Sequence, residues 1–172
     1  GELLIDRDGF ANLDRETQMR VFSAALQWVA HDPYRPRAAA LEDVIDRALS
    51  GAGSTLHGCE ITVEAAVIRI FREHAAITGL VGASDGKTDW DGRWRLSAPG
   101  GSALKVQALG MLGWRQVPEP PPDAPPARAA YSLPALFFGS RLVACPALGF
   151  GSSVKVDFRP RAASFAASLE SH

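Results

Sequence analysis

After Gly53 the spacing of apolar residues changes from a period of about 3.6 to one of about 2, and that change decides what the chain can fold into. Upstream, Phe22, Ala25, Leu26 and Val29 fall at i, i+3, i+4 and i+7, one face of a helix. Asp14 and Glu16 supply acidic residues for its cap and dipole, so the spacing predicts a helix over about residues 14 to 30. HDPYRPR then interrupts, because its prolines cannot continue a helix, although Pro36 suits the first turn of another. Leu41, Val44, Ile45, Ala48 and Leu49 repeat the helical spacing until Gly51 and Gly53 end it. The two helices are expected to pack as an antiparallel pair. Downstream, Cys59, Ile61 and Val63 alternate with Glu60, Thr62 and Glu64, and a second alternating run follows at Ile68 to Phe71. Residues 56 to 73 therefore read as a hairpin, with His57 and Cys59 on one strand face.

The rest of the chain keeps the shorter period. TDWDGRWRL holds Asp91-Gly92, a dipeptide suited to a two-residue hairpin turn, with Trp94 and Leu96 on one face and Arg93 and Arg95 on the other. Further alternating runs occur at Leu104 to Ala108, Arg141 to Cys145 and Val154 to Phe158, which predicts a small antiparallel sheet or partial barrel. VPEPPPDAPPA reads as a stiff surface loop, and GFGSS at 149 to 153 as a loop, since no helix follows it. The expected class is α+β: residues 1–79 hold two packed helices with a hairpin at the end, and residues 80–172 are β-rich.

Composition excludes several functions. With 47% hydrophobic residues the chain has enough apolar material for a core, yet no run approaches the roughly 20 residues that cross a bilayer. No signal segment is read near Gly1, so a cytoplasmic location without membrane contact is expected. Two cysteines cannot make a disulfide framework or a four-thiolate zinc site, and no metal site is expected. A phosphate-binding loop, a dinucleotide fingerprint, a G-x-S-x-G elbow and an H-E-x-x-H zinc motif are all missing. His57 and Cys59 have no Asn or Asp nearby in sequence to orient the histidine, and H-G-C-E lacks the order of a nucleobase deaminase. Cys59 is expected to be a core thiol. No residue is assigned to catalysis. Charge is uneven: residues 1–79 hold 8 Lys and Arg against 12 Asp and Glu, and residues 80–172 hold 10 against 7. A β region of net +3 permits contact with nucleic acid.

Taken in order, ALQWVAHDPYRPR, AAALEDVIDRAL, TLHGCEI, the Arg-Glu of IFREHA and WDGRW resemble the C-terminal region of bacterial tRNA(Ile)-lysidine synthetase. The match is firmest over residues 14 to 96. Enzymes of that family use ATP to attach lysine to the wobble cytidine of an isoleucine tRNA. The resemblance implies a tRNA-recognition portion of such a ligase, with isoleucine tRNA and the N-terminal catalytic domain as partners. ATP with magnesium would belong to that catalytic domain, and no cofactor to this chain. Whether the chain dimerises is left open. Arg93, Arg95, Lys155, Arg159 and Arg161 are the candidate RNA contacts, because arginine beside tryptophan can hold phosphate and stack bases, and KVDFRPR places cations on one strand face. Two rivals remain: a protein-interaction module that uses the proline-rich loop at 117–127, and a hydrolase built on His57 and Cys59.

Overall fold

A computed structural model describes residues 1–98, 103–151, 154–160 and 164–170. The chain begins β1 (Leu3–Asp6), α1 (Arg7–Ala11), α2 (Arg15–Ala30), α3 (Ala38–Leu49), β2 (Ser54–Leu56), β3 (Cys59–Glu64) and β4 (Val67–Arg72). It continues α4 (His74–Ile77), β5 (Gly82–Ala83), β6 (Asp85–Trp90), β7 (Trp94–Ser97), β8 (Lys105–Ala108) and α5 (Gly110–Trp114). Last come α6 (Ala127–Ala130), β9 (Pro134–Phe138), β10 (Arg141–Ala144), β11 (Lys155–Phe158) and α7 (Phe165–Glu170). All three sheets are antiparallel, so the class is α+β. Two compact units divide the chain, one of Gly1–Glu73 with Pro160–His172 and one of His74–Arg159. The boundary thus falls six residues before the one read from the sequence, and the chain returns to its first unit at the end.

In the first unit α2 starts where Asp14 caps it, accepting from the Thr17 N–H at 3.0 Å and the Thr17 hydroxyl at 2.8 Å. Those bonds hold the Asp14 carboxyl below its usual range. His31, left-handed at φ 55°, closes the other end. Arg37 is the N-cap of α3, so Pro36 lies two residues before the first helical residue, Ala38. Positions Phe22 to Val29 of α2 are all buried, because β4, α3 and α7 cover it from several sides. The hairpin read from alternation is β3 and β4, with Cys59 opposite Arg72 and Glu64 opposite Val67. It sits inside a four-stranded sheet ordered β1-β4-β3-β2, larger than the hairpin expected.

His57 does not share a strand face with Cys59. Leu56 pairs with Cys59, and His57 and Gly58 form the two-residue turn between them with φ of 57° and 67°. Cys59 is fully buried, and its thiol donates to the Leu26 carbonyl at 3.5 Å. Asp32, distant in sequence, brings its carboxylate to 3.5 Å from His57 Nε2, which corrects the expectation that no acid stands near this histidine. The thiol also donates to the His57 carbonyl at 3.8 Å.

In the second unit one sheet runs β10-β9-β8-β5 and the other β11-β7-β6. Strand β9 is buried on both faces from Pro134 to Phe137, and only Phe138 at its end is exposed. Ala135 and Phe137 join Leu109, Val117, Leu142 and Cys145 in one core, while Leu136 joins Trp90, Trp94, Leu96 and Val106 in another between the sheets. Val117 is buried and Ala124 packs on the first core, so the proline-rich loop is anchored within its own length. Burial pushes the Cys145 thiol up to about 12. The native thiol keeps its proton where an unfolded one loses it, so this group's stabilisation is full below about pH 9 and falls away as pH rises toward 12. A thiol reagent at mildly alkaline pH is expected to leave Cys145 unmodified in the folded protein and to react once urea unfolds it; fast native labelling would contradict the burial.

Candidate nucleic-acid interface

Register alone sorts the two faces of the β11-β7-β6 sheet. Phe158, Trp94 and Trp90 lie side by side across the strands, as do Asp157, Arg95 and Asp89 one position along. Side chains alternate along each strand, so the first row faces the core and the second faces solvent. The Trp94 and Phe158 rings stack at 4.6 Å with planes tilted by 45°. Next to the outer row, Lys155 pairs with Ser97, which pairs with Asp85. A bulge in β6 separates Asp85 from Asp89 and opens a shallow hollow of about 520 Å³ lined by Gly86, Arg95, Ser97, Lys155, Val156 and Asp157. The bulge is built by Asp85, whose carboxylate accepts from the N–H groups of Lys87 at 2.8 Å and Thr88 at 2.9 Å. These bonds lower the Asp85 pKa and keep it charged.

The hollow gathers some of the candidate cations and not others. Arg95 and Lys155 line it, and Arg159 follows at the end of β11, where its N–H donates to the Arg93 carbonyl at 2.6 Å. Arg161 lies outside the described residues. Arg93, expected on the solvent face beside Arg95, is only 2% exposed. The reason is one residue of turn: Asp91 and Gly92 have φ of 50° and 64°, yet Trp90 pairs with Trp94, so Arg93 belongs to the turn and escapes the strand alternation. Its guanidinium turns inward and donates to Asp91 at 2.8 Å. Arg93 is thus corrected from a surface cation to a buried brace.

Carboxylates temper the remaining charge. Arg95 donates to Asp89 at 2.8 Å and has Asp157 on its other flank, and Arg159 pairs with Asp157 at 3.3 Å. Lys155 is exposed and in no ion pair among the described residues. Arg95, Lys155 and Arg159 stand against Asp85, Asp89 and Asp157, so the charges placed on this face balance. Such a surface offers a few placed phosphate contacts and resists a uniform polyanion. Asp157 is legible in KVDFRPR as a carboxylate between the cations and already argues against a strong nonspecific site; Asp85 and Asp89 are what the pattern of cations leaves out, although D-x-x-x-D directly precedes WDGRW. Val156 stands opposite buried Leu96 on the core-facing row, yet at the sheet edge it is 37% exposed.

Among the described residues no cluster of three His, Cys, Asp or Glu side chains is placed to hold a metal ion, and no helix is long and apolar enough to cross a membrane.

No family model matches the chain, and no solved structure matches it. Over all 172 residues it is 30% identical to tRNA(Ile)-lysidine synthase of Ruegeria pomeroyi. The chain spans 41% of the length of that relative, its C-terminal part. The resemblance read from the order of sequence segments therefore extends over the whole chain.

Proposed function

We propose, from this likeness to the C-terminal part of a tRNA(Ile)-lysidine synthase, that the chain is the tRNA-recognising portion of an ATP-dependent ligase that attaches lysine to the wobble cytidine of isoleucine tRNA. The observation that carries the reading is the 30% identity over an alignment that spans all 172 residues. On this reading ATP and magnesium are held by a catalytic domain elsewhere in the protein, which together with isoleucine tRNA is a partner of this chain. No residue here is assigned a catalytic role.

The outer face of the β11-β7-β6 sheet supports an RNA contact by its chemistry. Lys155 and Arg159 are exposed, and Arg95 is held in place by Asp89. Fixed cations separated by carboxylates suit phosphates at set positions, as on a folded RNA. Isoleucine tRNA binding to the protein, measured across a series of salt concentrations, tests this. Lys155→Ala with Arg159→Ala is expected to weaken binding and to reduce the slope of log affinity against log salt by roughly 0.7 to 0.9 for each phosphate no longer neutralised. Asp157→Asn, which releases Arg159, is expected to strengthen binding. Unchanged affinity and slope in the double variant, with the fold intact, would remove this face from the interface.

A further inference from the structure

A second site lies in the first unit, where α2 and the start of α3 border a pocket of about 410 Å³. Arg20 from α2 and Arg35 from the loop before α3 reach it from separate elements. Neither guanidinium is in an ion pair among the described residues, whereas Arg15, Arg47, Arg69 and Arg72 are each committed to a carboxylate or a carbonyl. Apolar groups of Met19, Pro36 and Ala38 form a wall beside them. Ser23 and Gln27, 8% and 5% exposed, place a hydroxyl and an amide at its edge.

The loop that carries Arg35 is held before any ligand arrives. Gln27 Nε2 donates to the Pro33 carbonyl at 2.8 Å, and the Tyr34 N–H donates to Asp32 at 2.9 Å. Proline on both sides of Tyr34-Arg35 restricts the rest, so little loop ordering opposes binding. Glu16 also lines the pocket and leaves an excess of one positive charge, too little to retain a bare anion in water. A ligand has to use the apolar wall as well. A thioether and a proline ring favour a flat aromatic body, Ser23 and Glu16 can meet its polar edge, and the two guanidinia suit a phosphate.

We propose that this pocket binds a nucleotide, with its phosphate between Arg20 and Arg35 and its base against Met19 and Pro36. The source is a free nucleotide or an unstacked residue of an RNA strand. Tyr34, 76% exposed beside Arg35, is placed to stack the next base of a strand. This inference stands apart from the tRNA reading of the β face.

Titration of the protein with cytidine 5′-monophosphate, cytidine, inorganic phosphate and pentacytidylate, followed at the backbone amides of Met19, Arg20, Ser23 and Gln27, tests it. Saturable binding of the monophosphate or the pentamer, tighter than about 1 mM, is expected. Arg20→Ala with Arg35→Ala should weaken it roughly tenfold or more at unchanged thermal stability. Tyr34→Ala weakens the pentamer alone if the source is a strand, and neither ligand if it is a free nucleotide. Lys155→Ala with Arg159→Ala should leave this site untouched, so its failure and that of the β face are separable. The proposal is overturned if neither ligand saturates, if the double arginine variant binds equally well, or if phosphate or cytidine alone binds as tightly as the monophosphate.

Discussion

Arg93→Ala is expected to lower the unfolding free energy of the second unit by about 3–5 kcal/mol, because it leaves a buried carboxylate without its guanidinium. Both partners are deep: the side chains of Arg93 and Asp91 are 2% and 4% exposed, and Nε and Nη2 both donate to Asp91 Oδ2. The size comes from desolvation. A charge already stripped of water loses its compensation, whereas an exposed pair such as Arg159 with Asp157 would lose at most about 1 kcal/mol. Arg93→Met combined with Asp91→Asn should recover most of the stability, since asparagine tolerates the left-handed turn position and no charge is left buried. Urea unfolding of the three variants followed by circular dichroism provides the measurement. A loss below about 1 kcal/mol in Arg93→Ala would mean that the pair is hydrated in solution.

Gly151→Ala should cost about 2–5 kcal/mol, the sum of a left-handed backbone penalty and an overpacking term. Gly151 has φ of 82°, and a Cβ there would stand 2.5 Å from the Val143 carbonyl oxygen and 2.6 Å from the Ala144 Cβ. Neither neighbour is the end of a flexible chain. The loop is also pinned just before this point, where the N–H groups of Cys145 and Phe150 each donate to the other's carbonyl. Gly149 is an internal control: its φ is 64°, but nothing lies within 4 Å of its Cβ position, so Gly149→Ala should cost only the backbone term of about 1–2 kcal/mol. Equal losses at the two glycines would show that close approach plays no part. Because β11 follows this loop, the proposed RNA contact of the β11-β7-β6 sheet predicts that Gly151→Ala also weakens tRNA binding, while Gly149→Ala does not.

What the sequence revealed and what it hid divide along the range of the forces involved. Helix α2 could be read because Asp14, the apolar stripe and the proline after it act within a few residues of one another. The β3–β4 hairpin was legible for the same reason, since one face of it is buried and the pleat imposes alternation. Arg93 was misread because a single extra turn residue carries no local mark, yet decides which way a side chain points. Asp32 beside His57 was missed because the two meet only after α2 and the sheet have packed. At the β face, the cations of KVDFRPR and RWR are legible, and so is Asp157 between Lys155 and Arg159, but the bracketing of Arg95 by two carboxylates is not. It depends on strand order, which sets Asp157 and Asp89 on either side of Arg95. The return of the chain to the first unit has no sequence signature, as Phe165 carries no sign that its ring meets Trp28 at 6.3 Å.

That return sets a timetable. On the ribosome, β1 through β4 and the first three helices emerge early, but the residue that covers Trp28 is made only after the whole of His74–Arg159. The later unit has all its residues in hand before the earlier one does. During that interval one wall of α2 is open to water and to other nascent chains. Release of the chain anywhere between Arg159 and Phe165 would therefore yield a finished insert carried by an unfinished host, and the damage would surface about 130 residues upstream of the break.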